Sequence, residues 1–361
     1  MTNARRMFYL LFVPMCFVVF AYPPARLAAW HGPESALGVG WIALIWAVAV
    51  AALLYSFAGP KMRVRYVTVH WMGASFILLA LVAAYEVARL IAPPTALLSD
   101  RTAAVWIVII AAALVALAVA ASHFLGVKHL RFHSDKVTRA HRIVQISDVH
   151  IGSRQGGYLA RIVKRINRLS PHLVVITGDL VDSSAVGHDE LRCLSGLRAR
   201  ALFTTGNHER YADLDKVLEL LGRLGVEPLR QRRVLAGELE VIGIDDADEH
   251  DQVADKLPAI ECGRDRYTVL LYHRPLGWEA AVAHGVDLML CGHTHNGQIF
   301  PFNWLVKRQF NRIRGLYRAG EARLYVSPGT GTWGPLMRLG SLNEITCIDV
   351  RPSSSPSDDA R

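Results

Sequence analysis

Residues 142–150 read RIVQISDVH, and this stretch decides the fold of the C-terminal part of the chain. Its first six residues, 142–147, form an apolar, β-branched run with the length and composition of a buried strand. The run ends directly at Asp148 and His150, two side chains of the kinds that bind divalent metal ions. Because residues two apart on an extended segment share a face, both side chains should point the same way.

Short apolar runs of this kind recur along the rest of the chain and alternate with helical patterns. Helical periodicity is clearest at residues 159–169, where apolar residues recur every three or four positions, and at residues 213–224. This alternation is typical of a layered α/β domain. Further strands are predicted at residues 173–177, 202–205, 239–244, 267–272, 288–291, 323–327 and 344–350.

Polar clusters follow five of the predicted strands. In open α/β folds, ligands bind beyond the carboxyl ends of the strands, so these clusters should meet at one edge even though they are far apart in sequence. The clusters are Asp148-Val149-His150, Gly178-Asp179, Gly206-Asn207-His208-Glu209, His273 and Gly292-His293-Thr294-His295.

The donor atoms of these clusters indicate a metal site. Two Asp, four His and one Asn offer carboxylate oxygen, imidazole nitrogen and amide oxygen, which together suit two borderline divalent ions better than Ca²⁺ or Mg²⁺. Gly178, Gly206 and Gly292 allow the backbone to turn sharply where the ligands must approach closely. The predicted ligands are Asp148, His150, Asp179, Asn207, His273, His293 and His295.

In this order the motifs D-x-H, G-D, G-N-H-E, a lone His after a strand and G-H-T-H resemble those of the calcineurin-like metallophosphoesterases, over residues 142–350. The resemblance implies a β-sandwich with helices packed outside it and a centre of two divalent ions, Mn²⁺, Fe or Zn²⁺. It implies that Asp179 bridges the two ions. The ligands implied for one ion are Asp148, His150, Asp179 and His295. Those implied for the other are Asp179, Asn207, His273 and His293.

The chemistry implied by the resemblance is hydrolysis of a phosphodiester, phosphomonoester or pyrophosphate bond. Two ions about 3.5 to 4 Å apart activate a water for attack on phosphorus. By the same resemblance, Asp179 is catalytic as the bridging ligand. His208 is then the group that stabilises the transition state or protonates the leaving oxygen, a role suited to a side chain that titrates near neutral pH.

Three further polar residues are candidates for contacts with substrate. Arg154, four residues beyond His150, would grip a phosphate through a bidentate contact. Asp245 and Asp246 follow the predicted strand at 239–244 and therefore lie at the edge where a substrate would bind. They would meet substrate or orient a ligand there, although a polar turn explains them equally well.

The first third of the chain is strongly apolar. Hydrophobic residues make up 52% of the whole sequence, above the roughly 45 to 50% usual in soluble domains. Four stretches, near residues 8–22, 38–58, 71–92 and 103–125, approach the roughly 20 residues that cross a bilayer. We expect four transmembrane helices within residues 1–126, a basic linker at 127–141, the catalytic domain at 142–350 and a disordered tail at 351–361. A cleaved signal peptide is the alternative for the first stretch.

Basic residues flank these stretches unequally. They precede the first stretch, separate the second from the third and follow the fourth, at Arg5, Arg6, Lys61, Arg63, Arg65, Lys128, Arg131, Lys136 and Arg139. Because the cytoplasmic side retains Lys and Arg, we expect the catalytic domain in the cytoplasm, anchored to an inner membrane of the bacterial type. Attraction to anionic lipid head groups also explains the net charge of +9, and no nucleic-acid partner is expected.

One charged residue lies inside the third apolar stretch. Glu86 is explained by a pair with Arg89, one turn further on, better than by a role in transport.

The resemblance is closest to a subgroup of these phosphoesterases that carries several N-terminal transmembrane helices. It rests on residues 297–304, GQIFPFNW, and residues 329–335, GTGTWGP. Between them lie basic and aromatic residues that would suit a membrane surface: Trp304, Lys307, Arg308, Phe310, Arg312, Arg314 and Tyr317. We therefore expect a lipid-linked substrate, such as a UDP-diacylglucosamine-type lipid, although this segment could simply cover the sheet edge.

One motif departs from that of the UDP-diacylglucosamine hydrolases, and two classes of protein other than enzymes are alternatives. Hydrolases of UDP-diacylglucosamine carry G-N-R-D where this chain has Gly206-Asn207-His208-Glu209, a departure from their pattern. The alternatives from other classes are a transporter and a catalytically silent membrane receptor or regulator that binds a phosphate ligand. A missing metal ligand would indicate the silent receptor or regulator, but all seven predicted ligands are present in the sequence.

Overall fold

The computed structural model describes residues 3–58, 62–247, 252–260, 262–263 and 265–353. The chain forms two compact units. The helical unit comprises Met1–Ala121, Ile299–Pro301 and Gly334–Leu339. The sheet unit comprises Ser122–Gln298, Phe302–Trp333 and Gly340–Arg361.

The helical unit is built from long apolar helices. They are α1 (Asn3–Cys16), α2 (Tyr22–His31), α3 (Val39–Ala58), α4 (Met62–Ile91) and α5 (Asp100–His123), and the π-helical turn Phe17–Ala21 joins α1 to α2. Within the described residues, four segments are long and apolar enough to cross a membrane: Leu10–His31, Val39–Ser56, Val64–Ile91 and Asp100–His123. The prediction of four such helices is confirmed.

Charged side chains inside these helices neutralise one another. Glu86 accepts a hydrogen bond from Arg26 at 2.6 Å and lies 3.8 Å from Arg89. Arg89 in turn lies 3.3 Å from Asp100. The predicted pair of Glu86 with Arg89 is present, and Arg26, which the sequence did not indicate, is the nearer partner.

Two short segments from the C-terminal half of the chain belong to the helical unit. Ile299–Pro301 and Gly334–Leu339 supply apolar side chains that pack with Ile77 of α4 and Ala118 of α5. Main-chain N–H groups of the second segment donate to Nε2 of His70 at 3.1 Å and to the carbonyl of Ala118 at 2.8 Å. The C-terminal half therefore contributes directly to the core of the helical unit.

The sheet unit contains two six-stranded sheets. The first has the order β1-β12-β2-β3-β4-β5 and the second the order β10-β11-β9-β8-β7-β6. Both are mainly parallel at their centres, where β2, β3 and β4 run alongside one another, as do β7, β8 and β9. The strands are β1 (Leu125–Ser134), β2 (His141–Ile146), β3 (Leu173–Thr177), β4 (Arg200–Thr204), β5 (Val226–Pro228), β6 (Arg232–Ala236), β7 (Leu239–Ile244), β8 (Tyr267–Tyr272), β9 (Leu288–Cys291), β10 (Gly315–Ala319), β11 (Ala322–Val326) and β12 (Asn343–Pro352).

The two sheets face each other across an apolar core, and helices cover their outer faces. Val175 and Leu202 of the first sheet share this core with Val269 and Leu290 of the second. Helices α6 and α9 pack on the first sheet, and α10 and α11 pack on the second. The helices of this unit are α6 (Gly156–Arg168), α7 (His188–Leu191), α8 (Asn207–Tyr211), α9 (Leu214–Arg223), α10 (Gln252–Lys256), α11 (Trp278–Ala283) and α12 (Phe302–Gln309). The expected β-sandwich flanked by helices is confirmed.

The segment predicted as a basic linker, residues 127–141, is mostly strand. Strand β1 pairs in parallel with β12, with Val127 opposite Ile345. It is an edge strand in which only Leu125 and Phe132 are fully buried, so its sequence lacks a continuous apolar run. The polar composition therefore reflected an exposed strand rather than a linker. Of the predicted disordered tail, residues 351 and 352 belong to β12, and residues 354–361 lie outside the described residues.

Candidate metal centre

The seven predicted ligands all lie just beyond the carboxyl ends of central strands. The first sheet supplies those that follow β2, β3 and β4, and the second supplies those that follow β8 and β9. Two side-chain contacts link the groups: Nε2 of His150 on the first sheet lies 3.0 Å from Nε2 of His295 on the second, and Nε2 of His273 on the second lies 3.1 Å from Oδ2 of Asp179 on the first. The centre is thus formed where the two sheets meet.

One cluster of donor atoms contains Asp148, His150 and His295. The Nε2 atoms of His150 and His295 lie 3.0 Å apart, and Nε2 of His295 lies 3.4 Å from Oδ1 of Asp148. Asp179 adjoins this cluster, because its Oδ2 lies 3.9 Å from Nε2 of His150. These are the four side chains implied for the first ion.

A second cluster contains Asp179, His273 and His293. Nδ1 of His293 lies 3.1 Å from Nε2 of His273, the nitrogen that also faces Asp179. Asn207, the remaining predicted ligand, is buried, and its Oδ1 accepts no hydrogen bond from any described residue. Asp179 is therefore near donors of both clusters, as a bridging ligand must be.

The spacing of these atoms fits metal coordination. Ligands about 2.1 Å from one ion lie about 3.0 Å apart in octahedral and about 3.4 Å apart in tetrahedral geometry. The separations of 3.0 and 3.1 Å between imidazole nitrogens fall in that range. The buried Asn207 oxygen, an acceptor with no donor among the described residues, completes a set that fits two divalent cations.

His273 is oriented by a hydrogen bond that crosses between the sheets. Its Nδ1 lies 2.8 Å from the carbonyl oxygen of Thr177, the last residue of β3. Because a carbonyl only accepts, Nδ1 carries a proton, and Nε2 is the nitrogen that faces the centre. This arrangement, in which the second ring nitrogen of a histidine is fixed by the protein, is common around bound metals.

Five of the predicted ligands have a left-handed backbone conformation. The φ angles of Asp148, His150, Asp179, His293 and His295 lie between 49° and 72°. Such angles cost of order 1 to 3 kcal/mol for residues other than glycine and cluster at functional sites. Main-chain hydrogen bonds hold them, for example from the N–H of His150 to the carbonyl of Asp179 at 3.0 Å.

Two glycines are required by close packing against ligand carboxylates. A Cβ atom on Gly206 would collide with the carboxylate of Asp179. A Cβ atom on Gly292 would collide with the carboxylate of Asp148 and with the hydroxyl of Ser147. The reason given from sequence for these two glycines, close approach to the ligands, agrees with this packing.

The charges in the centre suit cation binding. Burial alone would raise the pKa of Asp179, but His273, His208 and His150 hold that pKa well below its ordinary value. Burial raises the pKa of Asp148 to about 6. Asp179 therefore remains a carboxylate among imidazoles, the state in which it can bridge two cations.

Glu209, for which no role was predicted, holds the main chain around the centre by hydrogen bonds. It is fully buried, and its Oε2 accepts from the N–H groups of Asp179 at 3.0 Å and Gly206 at 2.8 Å. Its Oε1 accepts from the N–H of Val181 at 3.0 Å. The signal was present, because Glu209 is the third residue of α8, where an acidic side chain caps the helix start.

His208 lies beside the ligands but differs from most of them in exposure. Its side chain is 17% exposed and its Nε2 lies 4.0 Å from Oδ2 of Asp179. Its ring lies 4.7 Å from that of His150 and 5.8 Å from the rings of Trp333 and Tyr211. This partly exposed imidazole is accessible from solvent, and the catalytic role of His208 stays a prediction.

The side chain of Arg154 contacts Ser122 and Tyr158, and its main-chain N–H donates to the carbonyl of His150 at 2.8 Å. It is buried, donates to the carbonyl of Ser122 at 2.6 Å, and its guanidinium lies 4.3 Å from the ring of Tyr158. These contacts give Arg154 a structural role. Its proposed contact with a phosphate stays a prediction.

Residues 141–297 match the family model described as calcineurin-like phosphoesterase. An uncharacterized metallophosphoesterase from Campylobacter jejuni is 33% identical over 222 residues, 58% of this chain and 59% of that protein. A transmembrane protein with metallophosphoesterase domain from Bos taurus is 37% identical over 229 residues, 57% of this chain and 52% of that protein.

A third relative is matched along nearly its whole length. This uncharacterized metallophosphoesterase from Aquifex aeolicus is 31% identical over 244 residues, which cover 64% of this chain and 93% of that protein. The chain spans only a little over half the length of the Campylobacter and Bos relatives.

Proposed function

Because the chain belongs to the calcineurin-like metallophosphoesterase family, we propose that it hydrolyses a phosphate ester or anhydride at a centre of two divalent metal ions. The observation that carries the proposal is the convergence of six donor side chains from both sheets, with Asp179 near donors of both clusters.

Each residue of the centre has a defined task in this proposal. Asp148, His150, Asp179 and His295 would hold one ion, and Asp179, Asn207, His273 and His293 the other. The bound ions would supply an activated water and neutralise charge on the phosphate oxygens. His208, partly exposed and held next to Asp179 through its main-chain N–H at 2.9 Å, stabilises the leaving oxygen or gives it a proton.

The proposed substrate is lipid-linked, as in a UDP-diacylglucosamine-type lipid. Helix α12 exposes a cluster of apolar side chains, with Trp304 61% and Leu305 53% exposed, and its last turn carries Lys307 and Arg308. Amphipathic segments that combine aromatic and basic residues favour a membrane surface. The same segment leads into the centre, since the ring of Phe310 lies 5.2 Å from that of His293.

Chain connectivity also supports a lipid-linked substrate. Helix α12 begins directly after Pro301, which belongs to the helical unit, and Trp333, whose ring is 5.8 Å from that of His208, directly precedes Gly334 of that unit. We propose that the four apolar helices anchor the protein in an inner membrane of the bacterial type, with the sheet unit in the cytoplasm.

Turnover by detergent-purified protein tests the proposal. The substrates are p-nitrophenyl phosphate, bis-p-nitrophenyl phosphate and a UDP-diacylglucosamine-type lipid, with Mn²⁺, Zn²⁺ and Fe²⁺ titrated in turn. Asn207→Ala should abolish metal-dependent turnover, and His188→Ala, at a side chain 61% exposed, should retain it. Two bound ions without turnover on any substrate would contradict the enzyme and favour a receptor or regulator that binds a phosphate ligand.

A further inference from the structure

One side chain joins the two sequence motifs at residues 297–304 and 329–335. The amide of Gln298, in the first motif, makes two hydrogen bonds with the main chain of Trp333, in the second. Its Nε2 donates to the carbonyl of Trp333 at 2.9 Å, and its Oε1 accepts from the N–H of Trp333 at 3.0 Å. Because the donor and the acceptor of the amide both engage one residue, this pair of bonds fixes the place of Trp333.

Gln298 is held in turn by the metal-ligand segment that precedes it. Its main-chain N–H donates to the carbonyl of His295, a predicted ligand, at 3.0 Å. The φ angle of Gln298 is 54°, a left-handed conformation that is strained for residues other than glycine and clusters at functional sites. Gln298 therefore reaches Trp333 from a position that is fixed by the centre.

The segment that ends at Trp333 is bonded to a second metal-ligand segment. The N–H of Gly331 donates to the carbonyl of Asp148, another predicted ligand, at 2.9 Å. A Cβ atom on Gly331 would collide with the carbonyl oxygen of Val149, so the two segments are in direct contact. Trp333 is thus held from two sides before any substrate binds, which lowers the entropy that binding would cost.

The ring fixed in this way adjoins the predicted catalytic histidine. The ring centroids of Trp333 and His208 lie 5.8 Å apart, within the 4.5 to 7 Å of rings in contact. Trp333 is 39% exposed, so part of its indole is accessible to a ligand. A substrate whose leaving oxygen faces His208 would place the atoms beyond that oxygen next to this indole.

A second ring lies at the same distance from His208. The ring of Tyr211, the last residue of α8, is also 5.8 Å away, and Tyr211 is 69% exposed. No side-chain amide joins it to a metal-ligand segment as Gln298 joins Trp333. Tyr211 is therefore the competing candidate for a contact with substrate, and the experiment below separates the two rings.

We propose that Trp333 contacts the leaving group of the substrate and that Gln298 is the residue that positions it. This inference rests on the proposed function and adds to it the side chain that sets the preference for the leaving group. An indole binds flat rings by stacking and edge contacts, in addition to the free energy of burying apolar surface. Leaving groups with a ring close to the scissile bond are therefore favoured over small ones.

Two phosphonates that differ in one ring test the contact without turnover. Phenylphosphonate and methylphosphonate share the same head group, and their P–C bond is not hydrolysed. Calorimetric titration of the detergent-purified, Mn²⁺-loaded wild type should give a Kd about 10-fold lower for the phenyl compound. Trp333→Ser should reduce this ratio to below about 2, with the Kd of methylphosphonate and the metal content unchanged, and Trp333→Phe should largely restore it. Phe124→Ser, at a residue 56% exposed, is the control and should keep the ratio.

A double-mutant cycle tests the positioning role of Gln298. Gln298→Met keeps the length of the side chain but loses both hydrogen bonds, so the phenyl-to-methyl preference should fall at least 3-fold while methylphosphonate still binds as in the wild type. Added to Trp333→Ser, it should cause no further loss, because Gln298 acts through that ring. The matched control is Gln155→Met, at an exposed residue whose side chain makes no capping hydrogen bond, and it should retain the preference.

Several outcomes would overturn the inference. Equal binding of the two phosphonates by the wild type would reject the ring contact, and a preference lost in Tyr211→Ser but kept in Trp333→Ser would assign it to Tyr211. An equal rise of both Kd values in Gln298→Met would show that Gln298 supports the centre rather than Trp333. Failure of the proposed function is a separate result, namely phosphonate binding with the expected ratio but no hydrolysis of any ester or anhydride.

Discussion

The imidazole of His273 is held by the carbonyl oxygen of Thr177, 2.8 Å from its Nδ1. This contact joins the end of β8 in the second sheet to the end of β3 in the first. It turns Nε2 of His273 toward Asp179, 3.1 Å away, and so places the ligands of the two sheets around one centre. The following predictions depend on that arrangement.

Substitutions of Asp179 and His208 should separate metal binding from catalysis. Asp179→Ala removes a carboxylate near both clusters, so the metal content should fall below one ion per chain and turnover should be lost. His208→Ala should keep both ions and lower kcat by about 10² to 10⁴, the contribution of a positioned acid. Inductively coupled plasma mass spectrometry and steady-state kinetics on the same samples measure both effects. Equal loss of metal in the two variants would reassign His208 as a ligand.

Gly206→Ala should damage the centre without unfolding the protein. The new Cβ would collide with the carboxylate of Asp179, and a displacement of a ligand by about 1 Å costs on the order of 10²-fold in rate. Gly222→Ala is the matched control, because a Cβ there meets no atom within 4 Å and the residue lies in α9. That variant should keep its activity and gain about 0.5 to 1 kcal/mol in the free energy of unfolding. Metal-dependent turnover and thermal unfolding check the pair, and an active Gly206→Ala would contradict the tight packing of the bridging ligand.

Removal of the apolar surface of α12 should affect only lipid-linked substrates. With Trp304→Ser and Leu305→Ser combined, KM for a lipid-linked diphosphate in vesicles should rise about 10-fold, because these side chains no longer enter the lipid interface. Turnover of bis-p-nitrophenyl phosphate should stay unchanged. Leu235→Ser, at a side chain 49% exposed on β6, is the control and should behave as wild type on both substrates. A parallel loss on the soluble substrate would show that α12 supports the centre itself.

The orientation of the sheet unit can be measured with C-terminal reporters. Fusion to green fluorescent protein should fluoresce and fusion to alkaline phosphatase should be inactive, because the basic residues beside the apolar helices favour the cytoplasmic side. The reverse result, active phosphatase without fluorescence, would place the sheet unit on the other side of the membrane.

The sequence by itself determined the centre of each sheet but not its edges. All eight strands predicted from apolar runs are the interior strands of the two sheets, and the four that were missed, β1, β5, β6 and β10, are the four edge strands. Interior strands are buried on both faces, so apolar residues predominate in their central parts. Edge strands are half exposed, and a basic one such as β1 is read as a linker.

The sequence likewise determined which side chains could bind metal, because their type and their place after a strand are local properties of the chain. Only the tertiary structure decided which atoms meet. The 3.1 Å approach of His273 to Asp179 joins residues on different sheets. The pairing of Asp246 with both Arg210 and Arg274 joins helix α8 to the segments that follow β7 and β8. Such contacts depend on how the two sheets pack across their shared core. The sequence pattern of a single segment does not predict that packing.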